Sequence, residues 1–151
     1  MSNHEIQDWA ALVESATPFA RTLGARLVSL TDGEVVLALT APESLLNHVG
    51  GPHAATLFGL AETAAAGVVV SLFEDLVGAG GVPLIKGAEI SYLAIAQGPV
   101  TATARFAGDA EGVRASFATR GVAVFPVDVA LRTADGVHTA QMRTRMALKQ
   151  L

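Results

Sequence analysis

Asn47-His48-Val49-Gly50-Gly51-Pro52-His53-Ala54-Ala55-Thr56-Leu57-Phe58-Gly59-Leu60-Ala61-Glu62 turns a polar loop into an almost wholly apolar helix that carries one carboxylate. Between Ala54 and Phe73 the only ionisable side chain is Glu62. An unpaired charge in an apolar setting costs several kcal/mol or neutralises by shifting its pKa, so a carboxylate at this position calls for a reason. Pro52 is well placed to precede the helix, which is expected to open at His53-Ala54-Ala55 and run to about Leu76.

Outward from this stretch the chain reads as helix, two strands, long helix, two strands, short helix, two strands. Ile6, Trp9, Leu12, Val13 and Ala16 recur at helical spacing within Glu5–Phe19, and Pro18 is expected to end that pattern. Gly24–Leu30 and Glu34–Thr40 form a hairpin around Thr31-Asp32-Gly33, with Val35, Leu37 and Leu39 on one face. Gly78–Gly81 breaks the long helix as a turn, and Leu84–Ile95 follows as a strand up to the turn Gln97-Gly98-Pro99. Val100–Phe106 alternates as a half-buried strand does. Asp109 caps a short helix through Thr119, stopped by Gly121. Val122–Thr133 and Val137–Lys149 close the chain around Asp135-Gly136, with Pro126 signalling a bulge or an edge. This order predicts a single α+β domain over residues 1–151, an antiparallel sheet beside one central helix.

Composition narrows the function. The 151 residues suffice for one domain with a real core. With 51% hydrophobic and 16% charged residues the chain is more apolar than an average soluble domain, which points to an oligomer. A net charge of −4 argues against a nucleic-acid partner. Zero cysteines exclude a disulfide framework, a thiolate nucleophile and a cysteine metal site. The N-terminus lacks a secretory pattern, and cytoplasm is the expected location. The apolar run Ala54–Phe73 has the length of a membrane span, but Glu62, Thr56, Thr63, Ser71 and its glycines favour a helix surrounded by protein. His4, His48, His53 and His138 show no ligand spacing, so no metal is expected. Gly78–Gly81 lacks the Lys-Ser/Thr of a phosphate loop. No cofactor is called for.

Asn47, then His53 six residues on, then Glu62 nine residues further on, resembles the pattern of the hotdog-fold thioesterases. The likeness is greatest to the phenylacetic-acid-type acyl-CoA thioesterases and the DUF4442 proteins. Tyr92-Leu93 before Gln97-Gly98, and Asp135-Gly136 at the last hairpin, are similar to the family's later pattern. The resemblance covers most of the chain. It implies a hotdog fold, an antiparallel sheet wrapped around a long central helix, with the active site at a dimer interface. Where the family has His-Gly-Gly this chain has His53-Ala54-Ala55, and a Cβ at 54 crowds the approach to the N–H that the family uses as oxyanion donor.

A helix start exposes N–H groups without partners and carries partial positive charge, which suits Ala54 and Ala55 to polarise a thioester carbonyl. The same N-terminus can equally be solvated or capped by Asn47. Glu62 lies eight residues past Ala54, about 12 Å along a helix. If both act on one carbonyl they come from different subunits, so the chemistry implies at least a homodimer, with a homotetramer equally open. The catalytic candidates are then Glu62 as base or nucleophile, Ala54 N–H for the oxyanion, Asn47 to orient Glu62 or water, and His53 to polarise the carbonyl or fix the loop. A structural carboxylate paired across the interface is the competing role for Glu62.

The last strand presents Gln141, Arg143, Arg145 and Lys149 on one face. This basic stripe is a solvated strand face or, with Lys86, a set of phosphate contacts for coenzyme A. Ala55, Leu57 and Phe58 are the candidate acyl-side contacts, Leu57 and Phe58 being equally suited to the core. The expected activity is hydrolysis of an acyl-CoA or other acyl thioester to acid and thiol. A non-catalytic acyl-CoA-binding or regulatory hotdog domain is the alternative. A hydroxyacyl thioester dehydratase is a further one, since His48 lies fourteen residues before Glu62.

Overall fold

The computed structural model describes Ala11 and residues 17–151. The helix expected over Glu5–Phe19 therefore lies largely outside the described residues. Within them, Pro18 opens a helix instead of ending one: α1 spans Pro18–Leu23, with the proline in its first turn, where its missing N–H costs nothing. Gly24 stops α1 at φ 77°, a left-handed conformation that glycine adopts without a Cβ clash.

Strands β1 (Arg26–Thr31), β2 (Glu34–Leu39), β3 (Gly81–Tyr92), β4 (Val100–Phe106), β5 (Val122–Thr133) and β6 (His138–Gln150) form one antiparallel sheet in the order β1-β2-β4-β5-β6-β3. Alternation along β2, β4, β5 and β6 sends Val35, Leu37, Ala102, Ala104, Val127, Val129, Leu131 and Met142 to one buried face. Helix α2 (Ala54–Leu72) lies against that face and touches five strands. It is long and apolar enough to cross a membrane, but most of it is buried inside the protein. Antiparallel sheet and central helix are those of the hotdog fold.

The opposite face is polar, and one row across it alternates in charge. Glu34 pairs with Arg105, Arg105 with Asp128, Asp128 with Arg143 and Arg143 with Glu89, on five adjacent strands. Two of these contacts are ion pairs, Arg105 to Glu34 at 2.5 Å and Arg143 to Asp128 at 2.6 Å. Opposite charges directly across a sheet support the register, each by a few tenths of a kcal/mol to about 1.

The long helix stops at Leu72, four residues before the expected end. Phe73 is buried in an aromatic cluster with Phe106 and Phe125, at centroid distances of 5.7 and 5.3 Å. Arg114, from α4 (Ala110–Arg120), donates to the terminal Leu72 carbonyl at 3.0 Å and pairs with Asp75. A guanidinium at a helix C-terminus satisfies both the orphan carbonyl and the dipole. A short helix, α3 (Glu74–Gly78), follows. Gly81 is not part of a loose turn but the first residue of β3, where a Cβ would meet the Leu76 carbonyl oxygen at 2.8 Å.

Pro126 sits in an interior strand without a bulge. Pairing with β4 ends at Phe106–Val127, and only the Ala107 N–H reaches the Pro126 carbonyl. The missing proline N–H points past the end of β4, so β5 is locally an edge and no ladder bond is lost.

Candidate active site

The loop before α2 is built on Asn47. Its Oδ1 accepts from Val49 N–H at 3.0 Å and Gly51 N–H at 3.2 Å, and its Nδ2 donates to the Pro52 carbonyl at 3.3 Å. The Asn47 N–H also donates to the Gly51 carbonyl at 2.8 Å. Asn47 thus closes its own loop, which the spacing alone did not reveal. Gly50 holds φ 80° at the tip. The Leu45 carbonyl then takes both the His53 N–H and the Thr56 hydroxyl, each at 2.9 Å, and so fixes where the helix begins.

His53 is the helix cap. Its Nδ1 accepts the Ala55 N–H at 3.0 Å, so Ala55 has its partner within the protein. The Ala54 and Thr56 N–H groups have no partner among the described residues, and of these two residues Ala54 lines the cavity described next. On the other side of the same residue, the Ala54 carbonyl accepts from the Tyr92 hydroxyl at 3.0 Å. A cavity of about 360 Å³ opens here, lined by Asn47, Pro52, Ala54, Leu57 and the segment Tyr92–Ala96. Its rim is apolar, with Val49, Tyr92, Leu93 and Ile95 all exposed.

Glu62 lies two turns along α2 and does not line this cavity. It is half-buried, and desolvation holds its pKa above the ordinary carboxylate value. Among the described residues no cation pairs with it. The helix is unbroken from Ala54 to Leu72, so about 12 Å of axial rise separates Ala54 from Glu62 within one chain.

The structure brings Asn47, His53, Ala54, Ala55 and Leu57 together at the start of α2 and leaves the other sequence candidates elsewhere. Phe58 is half-buried against the core. His48 is exposed in the loop and does not line the cavity. Arg143 is on the outer face of the sheet in a bidentate pair with Asp128, both bonds 2.6 Å. Arg145 lays its guanidinium over Gly87, where a Cβ would stand 2.8 Å from Nη2, and Lys86 is the exposed residue at the bulge in β3. Sequence reasoning gave no role to Tyr92. The signal was its being the sole tyrosine of the chain, at the end of a strand.

Residues 7–148 match the family described as Domain of unknown function (DUF4442). No curated protein matches the chain in sequence. Among solved structures, a Pseudomonas aeruginosa protein of unknown function, described as a probable thioesterase, superposes with a TM-score of 0.80 at 24% identity, covering 96% of this chain and 95% of that one. The Escherichia coli PaaI protein, from the phenylacetic acid degradation operon, gives 0.73 at 20% identity over 97% and 94%. A variant of a Staphylococcus aureus thioesterase enzyme gives 0.73 at 20% identity over 88% and 99%. At these identities the likeness carries the fold. With the family matched over nearly its whole length, the chain belongs to the DUF4442 family and is built on the hotdog fold of the thioesterases it resembles.

Proposed function

We propose that this protein is a cytoplasmic homo-oligomeric thioesterase that hydrolyses an acyl-CoA to free acid and thiol, without metal or cofactor. The observation that carries the reading is Glu62, a half-buried carboxylate with no cation beside it among the described residues, on the helix whose first turn offers the open Ala54 N–H. Burial raises its proton affinity toward the working pH, which suits a general base. The Ala54 N–H, at the positive end of α2, is suited to the charge that develops on the thioester oxygen. His53 and Asn47 hold that amide in place.

The axial distance between the two groups supports a site shared by two copies, Glu62 from one and Ala54 from the other. The free edge of β3 and the exposed Leu84 and Ile85 on it support the same pairing. Lys86 and Arg145, which form no ion pair among the described residues, are assigned to the phosphates of coenzyme A. Leu57 and the apolar rim face the acyl group. In the reaction, water oxygen bonds to the acyl carbon, the C–S bond breaks, and the thiolate takes a proton. Glu62 acts by deprotonating that water or by attacking first to give an anhydride. Rapid-quench mass spectrometry of the protein during a single turnover separates the two routes, since only the second acylates Glu62.

Release of free thiol from a panel of acyl-CoAs tests the proposal, and a cysteine-free protein contributes no thiol background. Turnover that falls by at least about 100-fold in Glu62→Ala, with the fold retained, supports it. Binding of acyl-CoA without turnover of any member of the panel replaces it with a non-catalytic binding domain.

A further inference from the structure

Tyr92 is the only tyrosine in the chain and the last residue of the edge strand β3. Its backbone is held in place because the next two N–H groups, of Leu93 and Ala94, both donate to the Thr139 carbonyl, at 2.8 and 3.2 Å. Its hydroxyl reaches across 38 residues of sequence to the Ala54 carbonyl. That carbonyl and the Ala55 N–H belong to one peptide group, and the Ala55 N–H donates to His53 Nδ1. Hydroxyl, peptide and imidazole therefore stand in single file: Tyr92 O–H to Ala54 C=O, then Ala55 N–H to His53 Nδ1. A donor on the oxygen of a peptide polarises it and strengthens the bond its N–H makes. An imidazole nitrogen that accepts carries no proton, so the proton of neutral His53 is on Nε2.

We propose that Tyr92 is a positioning residue which, through the Ala54–Ala55 peptide, holds His53 as the neutral Nε2–H tautomer at the helix start that presents the open Ala54 N–H. What that second donor does for a substrate carbonyl rests on the thioesterase reading; the tautomer does not. Moving the proton to Nδ1 would set N–H against N–H and uncap α2, so the tautomer is tied to the helix cap. Partial burial also raises the Tyr92 pKa, which keeps the phenol protonated as a donor.

The test is long-range ¹H–¹⁵N correlation of the imidazole rings in uniformly labelled protein, with His53 identified among the four histidines by its loss in His53→Gln. Wild type is expected to show His53 protonated on Nε2 and bare on Nδ1. Tyr92→Phe removes only the hydroxyl. It is expected to raise the Nδ1–H population about threefold to tenfold, drawing the two ring-nitrogen shifts together, while the other histidines do not move. Fluorotyrosine incorporation, which labels this one site and makes the phenol a stronger donor, is expected to do the opposite. A His53 pattern that is the same in both modified proteins, or a wild-type ring protonated on Nδ1, overturns the proposal. A tautomer shift in a protein that hydrolyses no acyl-CoA overturns the thioesterase reading alone. Hydrolysis by wild type with an unmoved tautomer in Tyr92→Phe overturns the Tyr92 role alone. Where both hold, Tyr92→Phe lowers kcat about threefold to tenfold at unchanged KM.

Discussion

A Cβ on Gly51 would stand 2.0 Å from the carbonyl oxygen of Ala96. The loop that precedes the central helix and the segment that follows β3 are therefore in backbone contact. Gln97 adds a bond from its Nε2 to the Val49 carbonyl at 3.5 Å. Gly51 does not have a left-handed φ, so its need for glycine is one of space. The obstacle is main chain, which cannot swing aside as the end of a side chain can. Gly51→Ala is expected to cost about 1–3 kcal/mol, read as a lower urea midpoint at unchanged m-value, and to lower hydrolysis with it.

Asn47→Ala removes the acceptor for two loop N–H groups and the donor to Pro52. A loss of about 1–3 kcal/mol is expected, with faster proteolysis between Leu46 and Pro52, since those groups have no alternative partner in the loop. If Asn47 served only to orient a catalytic water, kcat would fall while the melting temperature stayed put. Measuring both on one variant distinguishes the two roles.

Glu62 sets the response to pH. Burial raises its folded-state pKa above the ordinary value of 4.5, so folding favours the uncharged carboxyl. The stability this contributes is present below the unfolded-state pKa and is lost as pH rises through the folded-state value. Glu62→Gln cannot ionise. It should match wild type in acid and become the more stable protein as pH rises through that window. Partial exposure keeps the gain near 1 kcal/mol, about 2–4 °C in Tm at this chain length. Differential scanning calorimetry at pH 4 and pH 7.5 reads the difference. Hydrolysis by wild type should rise with pH over the same window, because the ionised form is the base.

Arg143 and Arg145 are neighbours on one strand face with different surroundings. Arg143 is engaged by Asp128, whose carboxyl it holds below the ordinary range, first through their hydrogen bonds. A depressed carboxylate pKa contributes stability above its unfolded value, lost as pH falls. Because this pair is largely exposed, Arg143→Ala is expected to lower Tm only slightly at neutral pH and not at all in strong acid. Arg145→Ala is expected to raise KM for a coenzyme A ester several-fold and to leave KM for the matching pantetheine ester unchanged. Equal effects on the two esters would remove Arg145 from the phosphate contacts.

The order of the six strands, the places of α2 and α4 among them, the buried faces of β2, β4 and β6 and the helix carrying a lone carboxylate were legible in the chain, whereas the short helices α1 and α3 were not. The legible features follow from local rules: period-2 alternation as in Val35-Leu37-Leu39, Asp-Gly at hairpin turns, proline and glycine at helix ends. Three particulars came only from tertiary structure. Helix α2 stops at Leu72 because Arg114, forty-two residues on, takes its carbonyl and Phe73 turns into an aromatic cluster. Pro126 is tolerated inside the sheet because β4 ends beside it. His53 and Ala55 are joined to each other and, through Tyr92, to a strand thirty-eight residues away from Ala54. Spacing along a chain reports which side chains share a face of one element. Which donor finds which acceptor between elements depends on how the sheet curls over the helix, and that is set by the packing of the whole core.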